Sequence, residues 1–206
     1  MAQTDQPRAP VPAERREVED GGILRYFPDF FPGKEADDLF ASLQTTIVWK
    51  QEQGRFGHPF PRLTALYADE GVVYTYSGVT YPSLIWTDEL DAVRRRVEQA
   101  AGGPFNSVLL NRYRDGGDSI GWHADDEPEF GERPVIASVS FGGTRTFQLR
   151  HKTRKELKAL VELTHGSLLI MRGGTQANWV HQVPKTARPV EERLNLTFRA
   201  IVAPAK

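Results

Sequence analysis

The sequence predicts an α+β, mainly β fold: helices confined to the first half, and a β-sandwich or jelly roll in the second. Three observations carry this. Beyond Phe105, short β-branched and aromatic runs recur at close spacing with turn residues between them. Before it, two segments place apolar residues three and four apart, the helical period. The composition, 39% hydrophobic and 26% charged over 206 residues, is that of an ordinary globular protein.

Residues 1–22 carry Pro7, Pro10 and Pro12, many charges and no aromatic side chain, and end at Gly21-Gly22. A disordered, solvated tail is expected there. Ile23–Pro28 reads as a strand. From Lys34 to about Thr45, Ala36, Leu39, Phe40 and Leu43 form one apolar stripe, which predicts a helix. Val48–Lys50 reads as a strand leading to a glycine-flanked hairpin tip over Gly54–Pro59. Leu63–Tyr67 and Val72–Tyr76 are further short strands. Asp88 to Ala101 is the second helix, capped by Thr87 or Asp88 and stopped by Gly102-Gly103-Pro104. Six strands follow, over Ser107–Tyr113, Ile136–Phe141, Thr146–Leu149, Ser167–Met171, Trp179–Gln182 and Leu194–Ile201, while Gly173–Asn178 is a loop without assignment. The expected organisation is a tail (1–22), an N-terminal extension (23–105) and the β core (106–206).

Lys and Arg number 26 against 27 Asp and Glu, which excludes a uniformly basic nucleic-acid coat but leaves room for a local basic face. With no cysteine, disulfides, thiolate catalysis and Cys-ligated metal sites are excluded. No apolar run approaches the roughly 20 residues of a membrane span, and the N-terminus has no signal-peptide core. A monomer without membrane contact is expected, in the cytoplasm, or in the nucleus if the source is eukaryotic.

His123-Ala124-Asp125 places two ligating side chains on one face of an extended segment. His151 falls in a basic run and reads as exposed, and His165-Gly166 reads as a turn. His181, inside an expected strand, is therefore the best third ligand. Two imidazoles and a carboxylate suit a non-heme Fe(II) oxygenase, with hydrolytic zinc as the competing metal.

Arg193-Leu194-Asn195-Leu196-Thr197-Phe198-Arg199 alternates without a break, so Arg193, Asn195, Thr197 and Arg199 share one face. Two arginines on one face can grip the carboxylates of a small diacid, because guanidinium binds carboxylate in a bidentate fork. Asn111 and Tyr113 alternate in the same way and offer two more hydrogen-bonding groups.

Together with Ser138–Gly142 and His165–Leu169, these segments resemble, in order from about Phe60 to Val202, the AlkB family of Fe(II)- and 2-oxoglutarate-dependent dioxygenases. The closing Arg-x-Asn-Leu-Thr-Phe-Arg stretch is highly specific to it. The resemblance implies a double-stranded β-helix (jelly-roll) core, with the extension forming a nucleotide-recognition lid. It implies iron held by His123, Asp125 and His181, and 2-oxoglutarate surrounded by Asn111, Tyr113, Arg193, Asn195, Thr197 and Arg199, with Arg193 on the distal carboxylate. Dioxygen would be the second cosubstrate, and 1-methyladenine and 3-methylcytosine in single- or double-stranded DNA the substrates. An RNA demethylase of the same family and a catalytically inactive nucleic-acid-binding relative are the alternatives.

A damaged base must leave the stack to reach an enclosed iron. Tyr74 and Tyr76 lie in a segment resembling the family's nucleotide-recognition stretch, with Tyr76 expected to stack on the flipped base. Asp126 and Glu127 are expected to read its polar edge. Arg55-Phe56-Gly57 resembles a finger that wedges into the vacated base step, with Arg62 beside it. Arg145–Lys158 carries six cations against Glu156 alone, a candidate phosphate face; Arg150 and Lys152 resemble a strand-gripping loop. Arg94-Arg95-Arg96, on a helix, reads as solvated surface.

Overall fold

A computed structural model describes residues 14–54, 57–72 and 83–202 and, for the backbone alone, 74–76 and 79–81. Glu14–Val18 (β1) and Gly22–Phe27 (β2) form a hairpin, followed by the helix Gly33–Thr46 (α1). Leu63–Ala68 (β3), Tyr74–Tyr76 (β4) and Val79–Tyr81 (β5) lead to the helix Asp88–Ala101 (α2). The second half holds Ser107–Tyr113 (β6), Ile120–His123 (β7), Ile136–Gly142 (β8), Arg145–His151 (β9), Lys158–Leu163 (β10), Ser167–Gly173 (β11), Thr175–Asn178 (α3), Trp179–Val183 (β12) and Arg193–Arg199 (β13).

The strands make a seven-stranded sheet in the order β1-β2-β11-β8-β13-β6-β3, a four-stranded sheet in the order β10-β9-β12-β7, and the small β4-β5 pair. All pairings between these strands are antiparallel. The non-sequential neighbours β8-β13-β6 place the last strand in the middle of the large sheet, as in a jelly roll.

Period-two alternation decides what each sheet buries. On β13, Leu194, Leu196 and Phe198 pack outward against α1 (Ala36, Leu43) and α2 (Leu90, Val93, Val97). A second cluster fills the space between the sheets, with Tyr113, Leu169 and Met171 from the large sheet and Phe147, Leu149 and Trp179 from the small one. α2 starts on Thr87, whose hydroxyl accepts the Leu90 amide, and stops on Gly102 at φ 71°, a left-handed turn that glycine adopts at no steric cost.

Several expectations are corrected. The tail is structured from Glu14, because β1 pairs with β2 across a tight turn at Asp20 and Gly21, both with positive φ. β2 and β3, which precede residue 105, join the large sheet. Val48–Lys50 forms only a bridge from Lys50 to Thr64. β10 had no sequence reading because its outward Lys158, Leu160 and Glu162 blur the alternation. Of the three arginines of α2, Arg95 is exposed as expected, but Arg94 and Arg96 are not mere solvated surface. Arg94 lies 4.5 Å over Trp86 and pairs with Asp69, and Arg96 donates to the Phe30 carbonyl and Glu35.

Candidate metal and cosubstrate site

His123 ends β7 and His181 sits directly opposite it on β12, so register alone brings two imidazoles together, with ring centroids 4.3 Å apart. Asp125, two residues on, completes a trio whose ligand atoms lie within 4.8 Å of one another. Asp125 is nearly wholly buried. Arg199 donates to its Oδ1 through Nε (3.1 Å) and Nη2 (2.7 Å), leaving Oδ2, 3.6 Å from His181 Nε2, directed at the shared point. The His123 Nδ1 lies 2.8 Å from the Gly121 carbonyl, and a proton held there leaves Nε2 as the ligand atom.

The electrostatics favour a cation. Burial pushes the Asp125 carboxyl up, but Arg199, then His181 and His123, outweigh it and hold the group at about 2. Burial, aided by His123, lowers His181 to about 3, and burial also lowers His123. A metal needs these states: ionised carboxylate and neutral imidazole.

On the large sheet, the inner face of β13 carries Arg193, Asn195, Thr197 and Arg199 into the same cavity, beside Asn111 and Tyr113 of β6. Asn195 donates to Ser138 Oγ (2.8 Å) and the Val139 carbonyl (3.0 Å), while its Oδ1 accepts from Thr197 (3.0 Å). Arg193 is 1% exposed. Its Nη2 donates to Ser140 Oγ at 2.9 Å and its guanidinium lies 5.1 Å over the Tyr113 ring. Its Nε and Nη1 are buried and have no hydrogen-bond acceptor among the described residues. Burial lowers this arginine to about 10, with Tyr113 opposing the shift. A buried cation with idle donors is costly unless an anion meets it.

The three metal-ligand candidates and all six cosubstrate candidates therefore line one cavity. Ser138 and Ser140 were missed as site residues, although the alternation of Ile136–Gly142 places both on the inner face. Gln176, on the unassigned loop that folds as α3, was also missed. Its Oε1 accepts the Asp125 amide at 3.0 Å, tying the first ligand pair to the helix that leads into β12.

The expected substrate contacts are placed less uniformly. Arg62 is buried, donating to Asn111 Oδ1 (2.7 Å) and the Ser119 carbonyl (3.3 Å). Lys152 pairs with Asp126 at 2.7 Å and donates to the Gln176 carbonyl. Burial raises the Glu127 carboxyl. Arg150 lies 4.4 Å over Trp122. His151 is buried, not exposed, with Nε2 2.7 Å from Asp20 Oδ2. Arg145 turns inward to the carbonyls of Asp115, Asp118 and Pro184, which removes it from the expected phosphate face. Tyr74 and Tyr76 lie on β4 opposite Tyr81 and Val79; their side chains lie outside the described residues. Arg55 and Phe56 also lie outside them. Gly57, at φ 76°, donates to the Gly54 carbonyl, and the Gln53–Pro59 bridge closes a hairpin-like turn.

Comparison with known proteins adds to this. Residues 23–199 match the family model of the 2OG-Fe(II) oxygenase superfamily. The chain is 46% identical over 187 residues to the alpha-ketoglutarate-dependent dioxygenase alkB homolog 3 of Rattus norvegicus, spanning 85% of this chain and 63% of that protein. It is 37% identical over 205 residues to the DNA oxidative demethylase ALKBH2 of Homo sapiens, spanning 93% of this chain and 78% of that protein. The solved structure of OsALKBH1 shares the fold, with a TM-score of 0.65 at 18% identity over 91% of this chain and all of that one. The family uses Fe(II), 2-oxoglutarate and dioxygen. The residues fit that set: two neutral imidazoles and an ionised carboxylate for the iron, and idle arginine donors for the diacid. This chain belongs to the 2OG-Fe(II) oxygenase superfamily, and within it to the AlkB family.

Proposed function

We propose that the protein oxidatively demethylates N-alkylated bases, 1-methyladenine and 3-methylcytosine, in DNA. The observation that carries the reading is the convergence of His123, Asp125 and His181 with Arg193 and Arg199 on one cavity. The relatives named as dioxygenases and DNA oxidative demethylases support the reaction class.

Bound iron would activate dioxygen at the expense of 2-oxoglutarate, so that the N-methyl carbon is hydroxylated and lost as formaldehyde while the keto acid becomes succinate and CO2. The protein's own groups prepare that chemistry. His123 and His181 are offered as neutral ligands and Asp125 as an anion, because burial lowers the imidazoles and Arg199 holds the carboxylate ionised. Arg199 thereby couples the ligand set to β13. Arg193 takes the distal carboxylate on its idle Nε and Nη1, and Asn111, Tyr113, Asn195 and Thr197 orient the acid between the arginines. Tyr74 and Tyr76 flank the base, Asp126 and Glu127 face its exocyclic edge, and Arg55-Phe56-Gly57 fills the space it leaves. Arg150 and Lys152 approach the phosphates.

Incubation of a 3-methylcytosine oligonucleotide with Fe(II), 2-oxoglutarate and ascorbate, followed by mass spectrometry, tests this. The expected result is loss of one methyl group with matched succinate. Matched RNA is the second arm: strong preference for it would reassign the polymer. Binding without succinate would identify an inactive relative.

A further inference from the structure

The small sheet has two unlike faces. Its inner face turns Phe147, His181 and His123 toward the cavity and Leu149 into the core between the sheets. Its outer face carries Trp122, the residue before the first metal-ligand candidate, on the edge strand β7. Trp122 is 38% exposed, and the Arg150 guanidinium lies 4.4 Å over its ring.

Arg150 differs from three other cations of its run, Arg145, Lys152 and Arg154. Arg145 is buried among carbonyls, Lys152 pairs with Asp126, and Arg154 pairs with Asp20. Among the described residues no carboxylate within ion-pair distance is assigned to Arg150, and its buried Nε has no acceptor. An uncompensated guanidinium stacked on a half-open indole has two unmet capacities: an aromatic surface that can extend the stack, and donors that match a phosphate. The surroundings do not resemble a protein-docking patch. The other exposed apolar residue of this face, Leu160, sits on the opposite edge strand, and the hydrogen-bonded Gln148–Gln182 pair lies between them. A protein interface needs a contiguous apolar centre; a single-stranded nucleic acid needs an aromatic face beside a positive charge.

We propose that Trp122 and Arg150 form a nucleotide platform on the outer face of the small sheet: an unpaired base of the substrate strand extends the Trp122–Arg150 stack, and the guanidinium takes its phosphate. The platform lies one residue from His123, so it would hold a nucleotide of the same strand as the base being processed. It rests on the proposed nucleic-acid substrate and favours single-stranded over fully paired partners, since a paired base has no free face.

The test is binding without turnover. Fluorescence anisotropy of a short, unmethylated, single-stranded deoxyoligonucleotide is measured without iron or 2-oxoglutarate, beside an abasic oligonucleotide of the same length and charge. Trp122→Ala should weaken binding of the base-bearing strand about tenfold and leave the abasic strand unchanged. Trp122→Phe should keep most of the affinity, while Trp122→Leu, similar in bulk but without a ring, should behave as the alanine variant. Arg150→Gln should weaken both strands and lower the salt slope by about one. Equal affinity of wild type and Trp122→Ala for the base-bearing strand overturns the platform, and so does equal weakening of both strands. An inactive enzyme that still shows the base-dependent Trp122 effect would refute the demethylase reading alone.

Discussion

The large and small sheets face the same cavity but are built to opposite specifications. On β13 of the large sheet every residue is buried: Leu194, Leu196 and Phe198 are sealed under α1 and α2, and the polar residues face the cavity. Among the described residues the small sheet's core cluster includes no helical residue; β7 is half-buried or exposed throughout, and β12 alternates buried with half-buried residues. The difference teaches that the cosubstrate candidates and the metal-ligand candidates draw on different supports. The arginines are fixed by a rigid, two-sided sheet. The metal-ligand candidates are fixed by strand register, by the Gly121 carbonyl against His123, and by Arg199 and Gln176 on Asp125.

The sharpest way to break this comparison is to injure one side at a time. Phe198→Ala empties a wholly buried site under the helices and should cost about 3–5 kcal/mol of stability, read from urea unfolding. His123→Ala should abolish demethylation on every strand form while leaving the urea midpoint near that of wild type. If His123→Ala unfolds as readily as Phe198→Ala, the two sheets do not divide the work. A subtler injury separates affinity from stability on β13. Arg193→Met removes a buried cation with idle donors, so it should stabilise the cofactor-free protein while weakening 2-oxoglutarate binding about 10–100-fold. Calorimetry checks both; a lower Tm with unchanged affinity would sink the assignment.

Acid should act on the small sheet first. His181 is held at about 3 against an ordinary 6.5, so its folded-state pKa is depressed. The unfolded chain binds a proton that the folded chain refuses, and stability should therefore fall as pH drops through 6.5 toward 3. Asp125, held at about 2 against 3.8, adds a second loss only below about 4. The Tm of metal-free protein between pH 7 and 5 reports the His181 effect together with that of His123, which burial also lowers, and His181→Asn should reduce it. The smallest expected effect is local to the helical cover: Thr87→Ala, which removes the cap on Leu90, should cost about 1 kcal/mol.

What the sequence disclosed follows the same division. β13 was legible because burial on both faces left its alternation unbroken, and the spacing of His123 and Asp125 was legible because an extended chain has period two. The pairing of His123 with His181 was not, because register across strands 58 positions apart is a tertiary fact. The bond from Arg62 to Asn111 was not legible, because an arginine's sign is visible in sequence and its partner is not. His151 was misread for the same reason: its neighbours are cations, but Asp20, brought over by the unforeseen β1–β2 turn, makes its contact. Gln176 lay on a segment too short for any periodic signal.

The central claim is that one cavity holds the metal between two imidazoles and a carboxylate while β13 grips the diacid. Anaerobic titration of 2-oxoglutarate into the Fe(II)-loaded protein tests it directly, because chelation of ferrous iron by a 2-keto acid produces a visible charge-transfer band. The account predicts a saturable band in wild type, no band in His181→Ala, and a band in Arg193→Met that needs about 10–100-fold more 2-oxoglutarate to appear. An undiminished band in His181→Ala, or an unshifted titration in Arg193→Met, would contradict it.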